Sequence, residues 1–204
     1  MTSDDWTGTA YSDRDFAGVD LTLEELKDCT FERCTFWDAR FDEATTESCV
    51  FTECDFAGAT FSASRHLRSA FLNCVFRSVR FFGAELDGCK LTGSSFVGAD
   101  LTAMQVRGGD WSYVNLSGQD LRRFPLRGLR LVGADLGAAD LTDVDLRKAD
   151  LTKAVLHAAT LRGADLRDAT VDGVRLSGLD LAGVRLDLAQ AGQIARELGA
   201  VLDP

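Results

Sequence analysis

The sequence has no long hydrophobic run. Nothing in its 204 residues approaches the ~18 consecutive apolar residues that cross a membrane, so no membrane contact is expected. The stretch from Met1 to Ala10 is acidic and polar, unlike a signal peptide, and a cytoplasmic protein is expected. Basic charge is also short. The 22 Lys and Arg stand against 32 Asp and Glu, a net charge of -10. Direct binding to nucleic acid or an anionic membrane needs a basic patch and is not expected. The deficit is uneven: residues 1–60 carry fifteen acids against four bases, and residues 61–204 seventeen against eighteen. Either solubility or a functional acidic surface accounts for this.

What is present is a repeat. From Tyr11 to Leu186 every fifth residue is large and apolar, and of 36 consecutive positions only Thr46 and His66 depart. No insertion breaks the phase. Two residues earlier sits a small or thiol side chain, such as Cys29, Ala39, Cys54, Ala134 or Ala164. Asp often lies between the two, and fifteen of the nineteen glycines fall two residues after the large one. On an α-helix such residues would point all round. On a continuous strand they would alternate between faces. The chain must therefore bend once per repeat, and Gly makes bending easiest. The large residue and the small one two before it point inward, and the other three face water.

The six cysteines, Cys29, Cys34, Cys49, Cys54, Cys74 and Cys89, all occupy the small inward slot. Their spacing is wrong for a common zinc knuckle, and free structural thiols are expected. No cofactor or metal is expected. His66 has Ser64 and Ser69 as inward neighbours and Thr46 one coil away. No Gly-x-Ser-x-Gly elbow or third catalytic member accompanies it, so a locally irregular side is expected rather than an enzyme. Met104, Gly109, Val114, Gln119, Phe124 and Leu129 break the small-residue rule, with Pro125 and several arginines nearby. Repacking is the simpler account, and a functional bulge the other.

After Leu186 the phase stops. Asp187 to Leu198 reads as a helix, with Asp187 as N-cap and Gly199 as its stop. Leu188, Ala191, Ile194, Ala195 and Leu198 share one face, and an exposed apolar end favours a two-fold dimer. The expected organisation is an N-terminal cap over 1–10, a repeat region over 11–186, and a dimerising helix and tail over 187–204.

Runs such as Ala134-Asp135-Leu136, Ala149-Asp150-Leu151 and Ala164-Asp165-Leu166 resemble the pentapeptide-repeat family. That resemblance implies an all-β solenoid, a right-handed quadrilateral β-helix with twenty residues per coil. Nine coils at ~4.8 Å would then span roughly 43 Å, with Phe16, Phe36, Phe56, Phe76 and Phe96 stacked in one inner ladder. Ser64 to Phe71, Asp145 to Lys148, Ala169 to Asp172 and Gly183 to Asp187 are most similar to the MfpA/Qnr type. The resemblance implies a homodimer through the C-terminal ends that mimics DNA, binds DNA gyrase and protects it from quinolones or natural gyrase poisons. Candidate surface acids are Asp38, Asp42, Glu43, Glu47, Glu53, Asp55, Glu85, Asp87, Asp100, Asp120, Asp140 and Asp143. The alternative is a scaffold that binds an unrelated protein partner.

Overall fold

A five-residue period must close into a coil before its large residues can share an interior, and the backbone pairing shows how it closes. The structure, a computed structural model, describes residues 6–201. Residues 1–5 of the expected cap and 202–204 of the expected tail lie outside the described residues. The chain divides into two compact units, one ending at Asp110 and one beginning at Trp111.

The first unit holds nine three-residue strands in two parallel sheets. One contains β1 (Ala10–Ser12), β3 (Thr30–Glu32), β5 (Val50–Thr52) and β7 (Ala70–Leu72) in that order. The other contains β2 (Glu25–Lys27), β4 (Thr45–Glu47), β6 (Arg65–Leu67), β8 (Glu85–Asp87) and β9 (Gln105–Arg107). Every partner lies one twenty-residue coil on, as with Phe31 beside Phe51 and Thr46 beside His66. Single parallel bridges such as Asp15–Thr35 and Arg40–Thr60 join the other sides at the same offset.

In the second unit the pairing consists of single bridges, from Asn115–Asp135 to Asp165–Arg185. Named strands therefore occur in about five coils, not in all nine expected from the sequence. Where Asp or Asn precedes the large residue, its side-chain oxygen takes the N–H two residues on. Asp135 does so to Gly137 at 2.9 Å and Asp145 to Arg147 at 3.0 Å. These bonds reinforce turns that the stacked coils form on such sides in any case.

Burial follows the five-residue phase. Phe16, Leu21, Leu26 and Phe31 are buried in the first unit, and Leu116 to Leu176 at every fifth position in the second. The phase also reaches back to Trp6, which is buried. The phenylalanines stack in the ladders expected from the sequence. Rings of Phe36 and Phe56 lie 4.9 Å apart, Phe31 and Phe51 4.8 Å, and Phe41 and Phe61 4.6 Å. Interplanar angles of 8°, 4° and 3° show that coil spacing dictates the geometry.

The corners differ from expectation in one respect. Bending is not confined to glycine. Twenty-one non-glycine residues, all two positions after the large one, have φ between +47° and +64°. Stacking imposes this conformation whatever the residue, against an intrinsic cost of about 1–2 kcal/mol for a residue with Cβ. In the irregular stretch Met104, Val114, Gln119, Phe124 and Leu129 are all buried, so the side chains repack inward. Gly109 is required there: a Cβ would stand 2.1 Å from the Cys89 carbonyl oxygen.

Candidate functional site

His66 is the most unusual interior residue, and its surroundings decide what it can do. β4 and β6 stack Thr46 directly beside it. Thr46 Oγ1 lies 2.8 Å from His66 Nδ1, and Ser64 Oγ lies 2.9 Å from Nε2. The Ser64 hydroxyl donates to the Phe61 carbonyl at 2.7 Å. It can then accept from Nε2–H, while the Thr46 hydroxyl faces both Nδ1 and Ser69 Oγ. Ser69 Oγ closes the cluster 3.0 Å from Thr46 Oγ1 and accepts from the Cys49 N–H at 3.2 Å. The ring thus has a hydroxyl within hydrogen-bonding distance of each nitrogen. Burial pushes its pKa down to about 3. A Ser–His pair sealed in the core and only 1% exposed does not reach a substrate.

The six thiols are free and buried. Each lies within sulfur hydrogen-bonding distance of two backbone carbonyl oxygens. One belongs to the large residue of the preceding coil, as with Cys54 to Phe31 at 3.5 Å and Cys74 to Phe51 at 3.4 Å. Ser94 does the same to Phe71 at 2.8 Å, so Cys and Ser share one structural task. Burial pushes Cys49 and Cys89 up to about 11 and Cys74 well above the usual thiol range. Among the described residues no group of three His, Cys, Asp or Glu is placed to hold a metal.

The candidate acids separate into two kinds. Asp55, Asp100, Asp120 and Asp140 sit immediately before a large residue and hold turn N–H groups at 2.9–3.2 Å. Asp42 accepts from Thr60 Oγ1 at 2.7 Å and from the Ser62 N–H at 3.0 Å. Glu47 pairs with Lys27 at 3.9 Å and with Arg68, and Glu85 with Arg65 at 4.0 Å and Arg107 at 3.8 Å. These carboxylates are internally committed. Arg122 beside Asp120 holds that carboxyl down to about 2. Asp38, Glu43, Glu53, Asp87 and Asp143 are exposed and have no ion-pair or side-chain hydrogen-bond partner among the described residues. The acids do not form one stripe. In the first unit they flank Phe36, Phe41, Thr46 and Phe51, which lie on four successive sides. Residues 6–110 carry seventeen acids against ten bases, and residues 111–201 twelve of each.

At the C-terminal end α1 (Leu188–Glu197) has Asp187 as N-cap in a capping box with Gln190, and Gly199 follows at φ +88°. Its inward face is polar. Gln190 Nε2 donates to the carbonyls of Leu166 and Ala169 at 2.6 and 2.9 Å, and Gln193 Nε2 to those of Val171 and Val174 at 3.2 and 3.1 Å. Glu197 accepts from the N–H groups of Leu176 and Ser177 at 3.2 and 3.1 Å. These side chains take the place of a further coil: Ala149 accepts from the backbone N–H of Thr170, twenty-one residues on, and Ala169 from the side chain of Gln190 at the same interval. Sequence reasoning missed this cap. Its signal was the polar series Gln190, Gln193, Glu197, which shares one helical face. The opposite face carries Leu188, 93% exposed, and Leu198, 72% exposed, with Ala191 also exposed and Ile194 and Ala195 half-buried.

Residues 24–101 match a family model described as a pentapeptide repeat region, and residues 130–168 and 149–187 one described as pentapeptide repeats in eight copies. No curated protein sequence matches the chain. Among solved structures, a trypsin-treated variant of QnrB1, a plasmid-mediated fluoroquinolone resistance protein, superposes with a TM-score of 0.83 at 24% identity, covering 97% of this chain and 99% of that one. Full-length QnrB1 gives 0.60 at 20% identity, covering 95% and 100%. HetL, a pentapeptide repeat protein involved in heterocyst differentiation regulation from the cyanobacterium Nostoc, gives 0.40 at 20% identity, covering 89% and 88%. At these identities the QnrB1 likeness is one of fold. The repeat models together span some two thirds of the sequence, and this chain belongs to the pentapeptide-repeat family.

Proposed function

We propose that this protein is a DNA mimic that binds DNA gyrase and protects it from quinolones or natural gyrase poisons. The observation that carries the reading is the charge division. Residues 6–110 have seven more acids than bases, and Asp38, Glu43, Glu53 and Asp87 hold their carboxylates in solvent without a cationic partner among the described residues. Such charges attract a surface built to bind phosphates. The MfpA/Qnr resemblance of the sequence and the QnrB1-like fold agree with it. Binding, not catalysis, is the role the sealed His66 cluster leaves open.

The same reading makes the protein a cytoplasmic homodimer. Six thiols suit a reducing compartment. No helix of the described residues is long and apolar enough to cross a membrane. The outward face of α1, with Leu188 and Leu198, supplies a self-complementary apolar patch for a two-fold contact. A gyrase supercoiling assay with purified protein, with and without a quinolone, tests the function. Inhibition or protection that fades as salt rises from 50 to 300 mM is the expected result. An intact protein with no binding to gyrase and no effect on supercoiling would replace this reading with the scaffold alternative.

A further inference from the structure

One side of the first unit has an outer surface unlike its neighbours. Following its inward ladder of phenylalanines, the outward positions read Ala17, Trp37, Ala57, Arg77 and Val97, one per coil. Three of the unit's five exposed large hydrophobic residues lie on this side: Trp37, Val75 and Val97. Ala57 and Gly58 leave no long side chain between Trp37 and Arg77. The gap is a shallow, open notch lined by Trp37, Asp38, Ala57, Gly58, Arg77 and Ser78. Gly58 is part of its construction. A Cβ there would stand 2.3 Å from Asp38 Oδ1, so the carboxylate lies over bare backbone at the notch. Neither Asp38 nor Arg77 has an ion-pair partner among the described residues.

We propose that this notch receives one arginine side chain from a basic protein partner. Trp37 and Arg77 are two coils apart, about 9.6 Å, which leaves room for a planar group against the indole. A guanidinium laid on the indole gains cation–π attraction and keeps its edge free for a two-pronged hydrogen bond to Asp38. A lysine ammonium has neither the plane nor the fork. Arg77 at the far end excludes a second cation and donates to a backbone carbonyl of the incoming segment. The acidic excess of this unit steers a basic surface toward it. Half-exposed tryptophan beside an unpaired carboxylate is the composition of an interface hot spot. The inference does not depend on the partner being gyrase.

Trp37 also supplies the test. It is 51% exposed, whereas Trp6 is 8% and Trp111 0% exposed, so acrylamide quenching of the intact protein reports mainly on Trp37. Titration at low salt with a tetra-arginine and a tetra-lysine peptide separates the notch from general charge attraction. The expected result is that the arginine peptide shields Trp37 and binds about tenfold more tightly than the lysine peptide. Asp38→Asn should reduce arginine binding about tenfold, and Asp143→Asn, in the second unit, should not. In Trp37→Leu, followed by calorimetry, the preference for arginine over lysine should vanish. Equal affinity for the two peptides, or unchanged arginine binding by Asp38→Asn, would overturn the proposal. Supercoiling assays on the same variants report separately: a gyrase effect that survives Asp38→Asn and Trp37→Leu leaves the gyrase reading standing and shows that gyrase is not the notch's partner.

Discussion

Lowering the pH should destabilise this protein through His66 before the carboxylates matter. In the unfolded chain the imidazole takes a proton near 6.5, whereas in the folded core burial holds it neutral down to about 3. Between those values the unfolded state binds more protons. Stability is therefore full above pH 6.5, falls as pH drops through 6.5, and is fully reduced near pH 3. At pH 5 the loss is about 2 kcal/mol, since each unit of pH below 6.5 costs about 1.4 kcal/mol; the full window is on the order of 5 kcal/mol. Asp120 and Asp165, with carboxyls held at about 2, add to the loss only below the ordinary carboxylate range. The window from pH 7 to 5 thus isolates the histidine. Urea unfolding of the native protein and of His66→Gln should be compared at both pH values. Gln keeps hydrogen-bonding capacity toward Thr46 and Ser64 and cannot titrate, while His157 is common to both proteins. The native protein should lose about 2 kcal/mol more than the variant over this interval. Parallel loss in the two would mean that His66 is not buried as neutral imidazole.

Other perturbations read other parts of the argument. Leu146→Asp places a charge in a fully buried ladder position and should abolish folding, as seen by circular dichroism. Arg147→Ala, at its half-buried ion pairs with Asp145 and Asp165, should cost about 1 kcal/mol. Gly163→Ala should destabilise more than Gly98→Ala in thermal melts, because a Cβ at Gly163 stands 2.1 Å from Asp143 Oδ1 and at Gly98 meets nothing within 4 Å. Both share positive φ, so the difference isolates the contact. Alkylation under denaturing, non-reducing conditions followed by mass spectrometry should count six free thiols. Leu188→Glu with Leu198→Glu should give a monomer by light scattering without unfolding, since both side chains point away from the fold, at 93% and 72% exposure. A dimer surviving this change would refute the proposed α1 contact.

The five-residue phase was legible in the sequence because it is a local property. Side-chain size at every fifth position says which atoms must leave water, and burial from Phe16 to Leu176 follows it at every such position but the half-buried Val106. The slot of Cys54 and Ala134, the extent of α1 and its Asp187 cap were legible for the same reason: each depends on neighbours a few residues away. Four features waited for pairing between residues about twenty apart. Corners at Leu23, Glu43 or Lys153 take positive φ against their own preference because the stacked coils leave no other path. Asp55, immediately before Phe56, is tied to the nearby Ala57 N–H at 2.9 Å, whereas the corner residue Asp38 lies over Gly58 of the next coil, a placement that only stacking decides. His66 is neutral because the stacked coils bury it, with Thr46 of the preceding coil against one nitrogen and Ser64 against the other. The helix turned its polar face inward and its leucines outward, the reverse of the burial hydrophobicity alone favours. The last coil ends in carbonyl and N–H groups with no further coil to meet, and leaving them unpaired costs more than leaving Leu188 and Leu198 in water.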